Sequence, residues 1–540
     1  MSPVAPSAAS ALGTRAPSAS GAPSPSTNWL VACLPAVLAL ALALLGLSLG
    51  LRRGMALVTA ATAILVAHMV LLAVSYRTRR MFALQVELRK QHYLQACAQG
   101  TVLLYWGWYW RPVYEFAPLL AAQLLFAYAF DMLLAWTRRD TYTLGFGPVP
   151  VVFSTNLFLW FKPEWFTFQF AMLAVGFAAK ELLRWRRDGR LVHVFNPSSF
   201  PLALVSLLLI GAGASEATRG QDIAITQFYP PQMYVLLFLV GLPGQFFFGV
   251  ASMTLAAVLT TYLLGLLYFA ATGTYFFYDS YVPIAVFLGM HLLFTDPSTS
   301  PRSELGRLIF GALYGASSMV LYQGLGLLGV PPFYDKLLQV PMLNLSVRWL
   351  DRASSSPRLR MLDPSRVGRS LAPRQRHLAY MAIWVSVFVT LSLVDGLGDG
   401  HRGQWLPFWE RACREGRPRA CAYEANLHRI LCDAGSGWAC NEEGVRTVAD
   451  GGSGGTGAGA RAARSFERGC RLGFVPACRN QRRGAEDENL LGRAPPMLAD
   501  YRVLVRGSKG PVSEQTPEWL YARACEQGWP DTCRRVGPSQ

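Results

Sequence analysis

Long apolar stretches alternate with short polar ones along most of this chain. Apolar runs occupy about residues 29–51, 54–75, 94–111, 114–136, 148–161, 164–183, 198–214, 232–249, 250–271, 281–294, 307–329 and 378–395. Many approach the ~20 residues an α-helix needs to cross a hydrocarbon core, which predicts an all-α, polytopic membrane bundle. The run from Trp29 to Leu51 is too long for a signal-peptide core and has no basic residues just before it. It therefore reads as a first spanning helix. Residues 1–28, rich in Ala, Pro and Ser, hold too little large apolar surface to offset chain entropy and are expected to be disordered.

Two interruptions stand out. In FTDPSTSPRSELGRLIFGALYGA, from Phe294 to Ala316, the apolar pattern breaks at Asp296-Pro297. About a hundred residues earlier, HVFNPSSF, from His193 to Phe200, breaks in the same way at Asn196-Pro197. Proline has no backbone N–H to donate and pushes the preceding residue out of the α region, so a helix ends at each point. Polar backbone among lipid-compatible residues needs protein or a water-filled cavity around it. Two such breaks in the two halves of a membrane chain point to an inverted repeat with a site at its interface.

The candidate site residues are therefore Asn196, Ser198, Thr295, Asp296, Ser298 and Thr299, with Asp131 added because it sits inside the 114–136 run. Each has a plainer reading. Asp296 and Asn196 also serve as helix caps, and Asp131 has Arg138 two turns along its helix as a partner. His193, Lys180 and Glu181 suit a membrane interface, the last two by snorkelling. The cluster YWGWYW, Tyr105 to Trp110, reads first as an interfacial belt and second as a surface for stacking a flat ring.

Composition agrees with a membrane chain carrying a soluble appendage: 52% of residues are hydrophobic and only 15% charged. The net charge of +17 comes with no groove-reading motif, which argues against nucleic-acid binding. Its arginines instead cluster between apolar runs, at Arg77–Arg80, Arg138–Arg139 and Arg184–Arg190, two spans apart. The positive-inside rule places these clusters and the N-terminus in the cytoplasm. The loop from Arg348 to Arg376 holds eight arginines and belongs there too, which twelve unbroken spans forbid. Treating 281–294 as a half-span ending at Asp296 gives eleven spans, an external C-terminus, and proline breaks on opposite faces. The expected organisation is a membrane core at 29–345, a basic cytoplasmic loop at 346–377, a last spanning helix at 378–396 and a tail at 397–540.

The tail holds eight of the ten cysteines, in four pairs of one spacing: Cys413 with Cys421, Cys432 with Cys440, Cys470 with Cys478, and Cys525 with Cys533. Each pair follows C-x-x-G-x-x-x-x-C. A helix ending at the first cysteine, a left-handed turn at the glycine and a second helix opening at the next cysteine make a hairpin stapled by a disulfide. Zinc sites favour closer cysteine spacing, so metal is the weaker reading. Disulfides imply an oxidising compartment, periplasmic or extracellular.

The strings ERACREGRPRAC, RILCDAGSGWAC, FERGCRLGFVPAC and ARACEQGWPDTC resemble the Sel-one-like, tetratricopeptide-related repeats in their cysteine-rich form. The resemblance implies a short α-solenoid used for protein contacts and brings no catalytic residues. The array departs from the family's steadier period and is interrupted by GGSGGTGAGA, Gly451 to Ala460.

TDPSTSP followed by GRLIFGALYGA, together with HVFNPSSF, resembles the NqrB/RnfD family of membrane proteins, which serve the sodium-translocating NADH:quinone reductase and the Rnf electron-transport complex. RRDTYTLGFGPVP and KELLRWRRDGRLVHVFNP look like a divergent branch found near enediyne biosynthetic clusters. The resemblance spans residues 50–345. It implies an inner-membrane component of an electron-transport or ion-translocating complex, with the repeats recruiting a periplasmic partner. Respiratory members carry FMN on a threonine of an S/T-G-A-T motif. This chain has only ATGT, Ala271 to Thr274, so the implied flavin, FMN or riboflavin, is held non-covalently. The alternatives are a transporter or channel-like protein without redox chemistry, and a scaffold built around the repeat tail.

Overall fold

The computed structural model describes residues 29–187, 189–366, 371–451, 458–483, 491–505 and 516–536. The N-terminal segment expected to be disordered, and residues 452–457 of the glycine-rich insert, lie outside them. The chain is a multi-pass membrane protein, mostly helical, and five of its helices are long and apolar enough to cross a bilayer: Leu51–Thr78, Ala117–Arg139, Ala251–Thr272, Glu304–Leu327 and Pro373–Leu393.

In chain order the membrane part begins with α1 (Leu34–Ser48), α2 (Leu51–Thr78), β1 (Ala83–Glu87), α3 (Lys90–Tyr109), α4 (Ala117–Arg139), β2 (Thr141–Gly145), α5 (Pro148–Asn156) and α6 (Thr167–Leu182). Then come β3 (Arg184–Arg187), β4 (Arg190–His193), α7 (Ser199–Gly211), α8 (Met233–Phe248), α9 (Ala251–Thr272) and α10 (Ile284–Leu293), whose last turn is a π-helix. The part closes with α11 (Glu304–Leu327), α12 (Asp335–Ser354) and α13 (Pro373–Leu393). The helices run alternately between a basic face, carrying the arginine clusters, and the face on which the tail sits. Two small ribbons lie on the basic face: β1 pairs with β2 in parallel, and β3 with β4 antiparallel through a turn at Gly189.

Small residues set the closest helix contacts, as expected where lipid offers no hydrophobic drive to pack. A Cβ on Gly54 would collide with the carbonyl of Gly46, so α1 and α2 fold back on each other tightly. Gly311 and Gly315 of GALYGA lie against the carbonyls of Met253 and Ala257, pressing α11 onto α9.

Two expectations about topology are corrected. The segment 335–354, which by its hydropathy belongs to a polar connection, is the 20-residue helix α12, packed against α7 and α11. An apolar-run search passes over it because Asp335, Lys336, Gln339 and Asn344 are all buried on it and Pro341 lies within it. Asp335 and Lys336 pair at 3.1 Å.

The second correction concerns the 281–294 run, expected to be a half-span. It completes a full crossing with the non-helical stretch before it. Tyr278 O accepts from Trp409 Nε1 of the tail (3.1 Å), while Leu293 O at the other end accepts from Asn196 Nδ2 (3.0 Å). Four crossings, α7 to α10, therefore separate the two proline breaks, and both breaks lie on the basic face, not on opposite faces. With α12 included, thirteen helical segments still place the tail opposite the arginine-rich loop.

The tail continues with α14 (Leu406–Arg414), α15 (Ala420–Asp433), α16 (Gly437–Gly451), α17 (Ala458–Arg471), α18 (Val475–Arg483), α19 (Leu498–Leu504), α20 (Pro517–Glu526) and α21 (Pro530–Val536). The four expected disulfides join its helix pairs, Cys413–Cys421, Cys432–Cys440, Cys470–Cys478 and Cys525–Cys533. Gly416, Gly435, Gly473 and Gly528 each take a positive φ between the paired cysteines, the conformation a Cβ would resist. Trp409, Trp438, Tyr501 and Trp529 fill the tail core. The tail docks on the membrane part through Arg417 Nη1 to Gly273 O (2.6 Å) and Tyr423 OH to Phe276 O (2.6 Å).

Candidate functional site

Each proline break folds around its own polar residue. Asn196 Oδ1 accepts from the backbone N–H groups of Ser198 (3.0 Å) and Ser199 (3.1 Å), satisfying donors that the start of α7 would otherwise leave bare. Asp296 Oδ1 accepts from Ser298 N (2.9 Å), and Asp296 O accepts from Ser300 Oγ (2.6 Å). Asn196 thus caps α7, whereas Asp296 caps no helix: it closes the turn at Pro297, and α11 begins at Glu304 with Ser303 as its cap. Asn196 Nδ2 donates across to Leu293 O, and Asp296 Oδ2 lies 3.0 Å from His193 Nε2.

Three further residues hold the breaks in place, and one of them, Asn344, touches both. Asn344 of α12 accepts from Asn196 N (3.1 Å) and donates to Thr299 O (3.2 Å). Arg187 of β3, with 6% of its side chain exposed, donates to Ser298 O (3.2 Å) and Ser300 O (2.8 Å) and pairs with Asp351 (2.7 Å). Ser154 of α5 donates to Ser198 Oγ (2.7 Å). The polar interruption is therefore embedded in protein, as its depth in the bundle requires.

The two breaks form part of the wall of a cavity of about 360 Å³. Of the seven sequence candidates, Asp131, Asn196, Ser198, Asp296 and Ser298 line it. Thr295 and Thr299 do not: Thr295 Oγ1 donates to His291 O (3.0 Å), and Thr299 Oγ1 to Asp296 O (3.4 Å).

Other lining residues escape the sequence reading or have only interfacial roles in it. Gln91, Gln95 and Gln99 recur every four residues along α3, which places them on one helix face, with His92 beside them. That periodic amide stripe is the signal from which they could be found. Lys180, Glu181 and Arg184 line the cavity as well. Glu181 is held by Arg184 and by Arg139 (3.4 Å), whereas no carboxylate among the described residues reaches Lys180. Buried His92 Nδ1 and Gln99 Oε1 have no hydrogen-bond partner among the described residues.

The aromatic cluster lies elsewhere. Trp106 and Trp110 stack at 5.1 Å, and Trp160 stacks on Phe116 at 4.2 Å, in a ladder near the tail face. Phe248 is the one Phe, Tyr or Trp lining the cavity, so no aromatic sandwich is present there among the described residues for an isoalloxazine ring. Thr274, nearest to a flavin attachment motif, is fully buried at the tail face and donates to Pro418 O (3.3 Å). Cys413, Cys421 and Glu424 cluster closely enough to hold a metal, but the two sulfurs are already joined.

No family model, curated protein or solved structure matches the chain. The chemistry it offers is that of this cavity. Its walls offer an unpaired ammonium, carboxylates, hydroxyls, amides and imidazole, a set suited to a polar or charged small molecule.

Proposed function

We propose that the chain is a transporter-type membrane protein that takes a polar, charged solute from the basic face into the cavity at its two proline breaks. The observation that carries this reading is the convergence of Asp131, Asn196, Ser198, Asp296 and Ser298 on one polar cavity with Lys180 and His92. Towards the tail face, apolar and aromatic packing closes the interior, including Phe238 on Phe388 at 3.8 Å and Phe287 beside His291 at 4.0 Å. A pocket open on one side and sealed on the other is what alternating access requires of one of its states. The arginine clusters favour a cytoplasmic basic face, and the disulfides favour a periplasmic tail in the inner membrane. Both assignments agree with the tail's position opposite the arginines.

The electron-transport reading keeps one specific support. The TDPSTSP string that resembles the reductase family lies at the cavity, through Asp296, Pro297 and Ser298. In that reading the protein is one component of a larger membrane complex, the cavity holds part of a non-covalent flavin, and the repeats bind a periplasmic partner.

One preparation separates the two. The full chain purified into nanodiscs is examined for visible absorption, then screened for thermal stabilisation by small charged solutes. The transporter reading expects no flavin bands and a stabilising solute whose effect is lost in Asp296→Asn. Flavin bands, or a solute response indifferent to Asp296 and Lys180 substitutions, would overturn it.

A further inference from the structure

Beyond the cavity wall, three helices bring together polar groups that the protein itself leaves unsatisfied. His291 sits in the π-helical turn of α10, Gln245 near the end of α8 and Trp384 on α13, at 2%, 1% and 0% exposure. His291 Nδ1 lies 2.8 Å from Phe287 O. A carbonyl only accepts, so Nδ1 carries the proton and Nε2 is a bare acceptor. His291 Nε2, both side-chain atoms of Gln245, and Trp384 Nε1 have no hydrogen-bond partner among the described residues. Two acceptors and two donors are thus buried together where burial without partners is unfavourable.

Gly241 is where two of them meet. A Cβ there would lie 3.0 Å from His291 Cδ2 and 3.4 Å from Gln245 Nε2, so both side chains pack closely against this one point of α8. The His291 and Trp384 ring centroids are 5.9 Å apart. The cluster lies directly behind the cavity wall, since Leu292 and Phe248, which line the cavity, are His291's neighbour and the residue one turn after Gln245. A π-turn in an otherwise α-helical segment is a common mark of a functional position.

We propose that His291, Gln245 and Trp384 form an internal binding station for one water-sized molecule that both donates and accepts hydrogen bonds, just behind the cavity wall. Such a molecule donates to His291 Nε2 and accepts from Trp384 Nε1, with the Gln245 amide completing its shell. Its donor and acceptor pattern is that of water, which typically makes two to four such bonds in buried sites. The station does not depend on which solute or cofactor the cavity holds.

Hydrogen–deuterium exchange at the imidazole C2 position, followed by mass spectrometry on the full chain in nanodiscs, tests this with D₂O as the probe. His291 is expected to exchange despite its burial. Gly241→Ala puts a methyl hard against His291 Cδ2 and beside Gln245 Nε2, and is expected to slow that exchange by at least about fivefold by crowding out a water-sized guest. His401, buried in the tail joint, should keep its rate and serves as the internal control. Gln245→Leu removes the amide without adding volume at Gly241 and is also expected to slow His291, so the test stands even if the alanine variant fails to fold. No exchange at His291 in the unmodified chain, or equal rates in a folded variant of either kind, overturns the station.

Discussion

His193 Nε2 and Asp296 Oδ2 lie 3.0 Å apart across 103 residues of sequence, and their contact ties the first proline break to the second at the rim of the cavity. Both side chains are largely buried, at 19% and 16% exposure, so little water competes for the bond. Paired substitution of His193→Gln and Asp296→Asn should give a coupling energy of about 1–2 kcal/mol in a double-mutant cycle of thermal stability. Additive effects of the two substitutions would mean that the contact adds nothing to holding the breaks together.

The shared face of the breaks makes a labelling prediction. Ser198→Cys and Ser298→Cys should react with a membrane-impermeant thiol reagent added on the basic side, through the cavity they line. Glu216→Cys, whose native side chain is 96% exposed at the tail end of the bundle, should react only from the other side. Both experiments are done with Cys33 and Cys97, the two free cysteines, replaced by serine. Labelling of Ser198→Cys and Ser298→Cys from opposite sides would restore the inverted arrangement that the connectivity argues against.

How far the sequence discloses this structure follows from which residues carry local signals. The disulfides are legible because cysteine spacing and the intervening glycine are both local requirements of one turn, and Gly416, Gly435, Gly473 and Gly528 all adopt it. The two breaks are legible because proline acts on its own neighbours. Helix α12 is not, because its buried face carries Asp335, Lys336, Gln339 and Asn344, which resemble loop residues and break up the apolar pattern that its exposed Met342, Leu345 and Trp349 would otherwise make. Missing that helix changes the parity of the crossings, and a non-helical approach to α10 changes it again. The faces on which distant segments meet therefore lie beyond a count of apolar runs. Lys180 reads as interfacial for a related reason: sequence shows a charge near a helix end but not the cavity behind it.

Arg187 should be among the least replaceable residues of the membrane part. Its guanidinium fork serves two carbonyls and a carboxylate at once, a geometry that an ammonium cannot reproduce. Arg187→Ala also leaves Asp351 without that partner, and breaking such a pair from one side costs about 3–5 kcal/mol. Arg187→Lys should recover less than half of the lost thermal stability. Full rescue by lysine would show that charge alone matters there.

Removing one staple of the tail tests its share in stability. Cys432 and Cys440 close a loop of sequence separation 8, for which chain entropy gives about 2–3 kcal/mol. Replacing both by serine should lower tail stability by that amount, read from denaturant unfolding followed by the fluorescence of Trp438 and Trp529. The membrane part, monitored by exchange protection of α9 and α11, should be unaffected. A loss spreading into those helices would mean that the tail and the membrane part unfold as one unit.

Acid should loosen the joint between tail and membrane part through His401. This side chain packs on the rings of Tyr275 (4.3 Å) and Tyr281 (4.9 Å), and its Nδ1 accepts from Gly403 N (3.1 Å). Burial lowers its pKa from 6.5 to about 3. In the folded joint it therefore stays neutral where an exposed histidine would already bind a proton. The unfolded state binds more protons between those two values, so stability is full above pH 6.5 and falls as pH drops, by about 1.4 kcal/mol per unit. Moving from neutral pH to about pH 5 should cost the joint about 2 kcal/mol. His401→Asn, which keeps an acceptor for Gly403 N but does not titrate, should lose that component of the pH dependence. The measurement is the difference between the two proteins in exchange protection of α14 across the range. Parallel curves for the two would show that His401 takes up no proton as the joint opens.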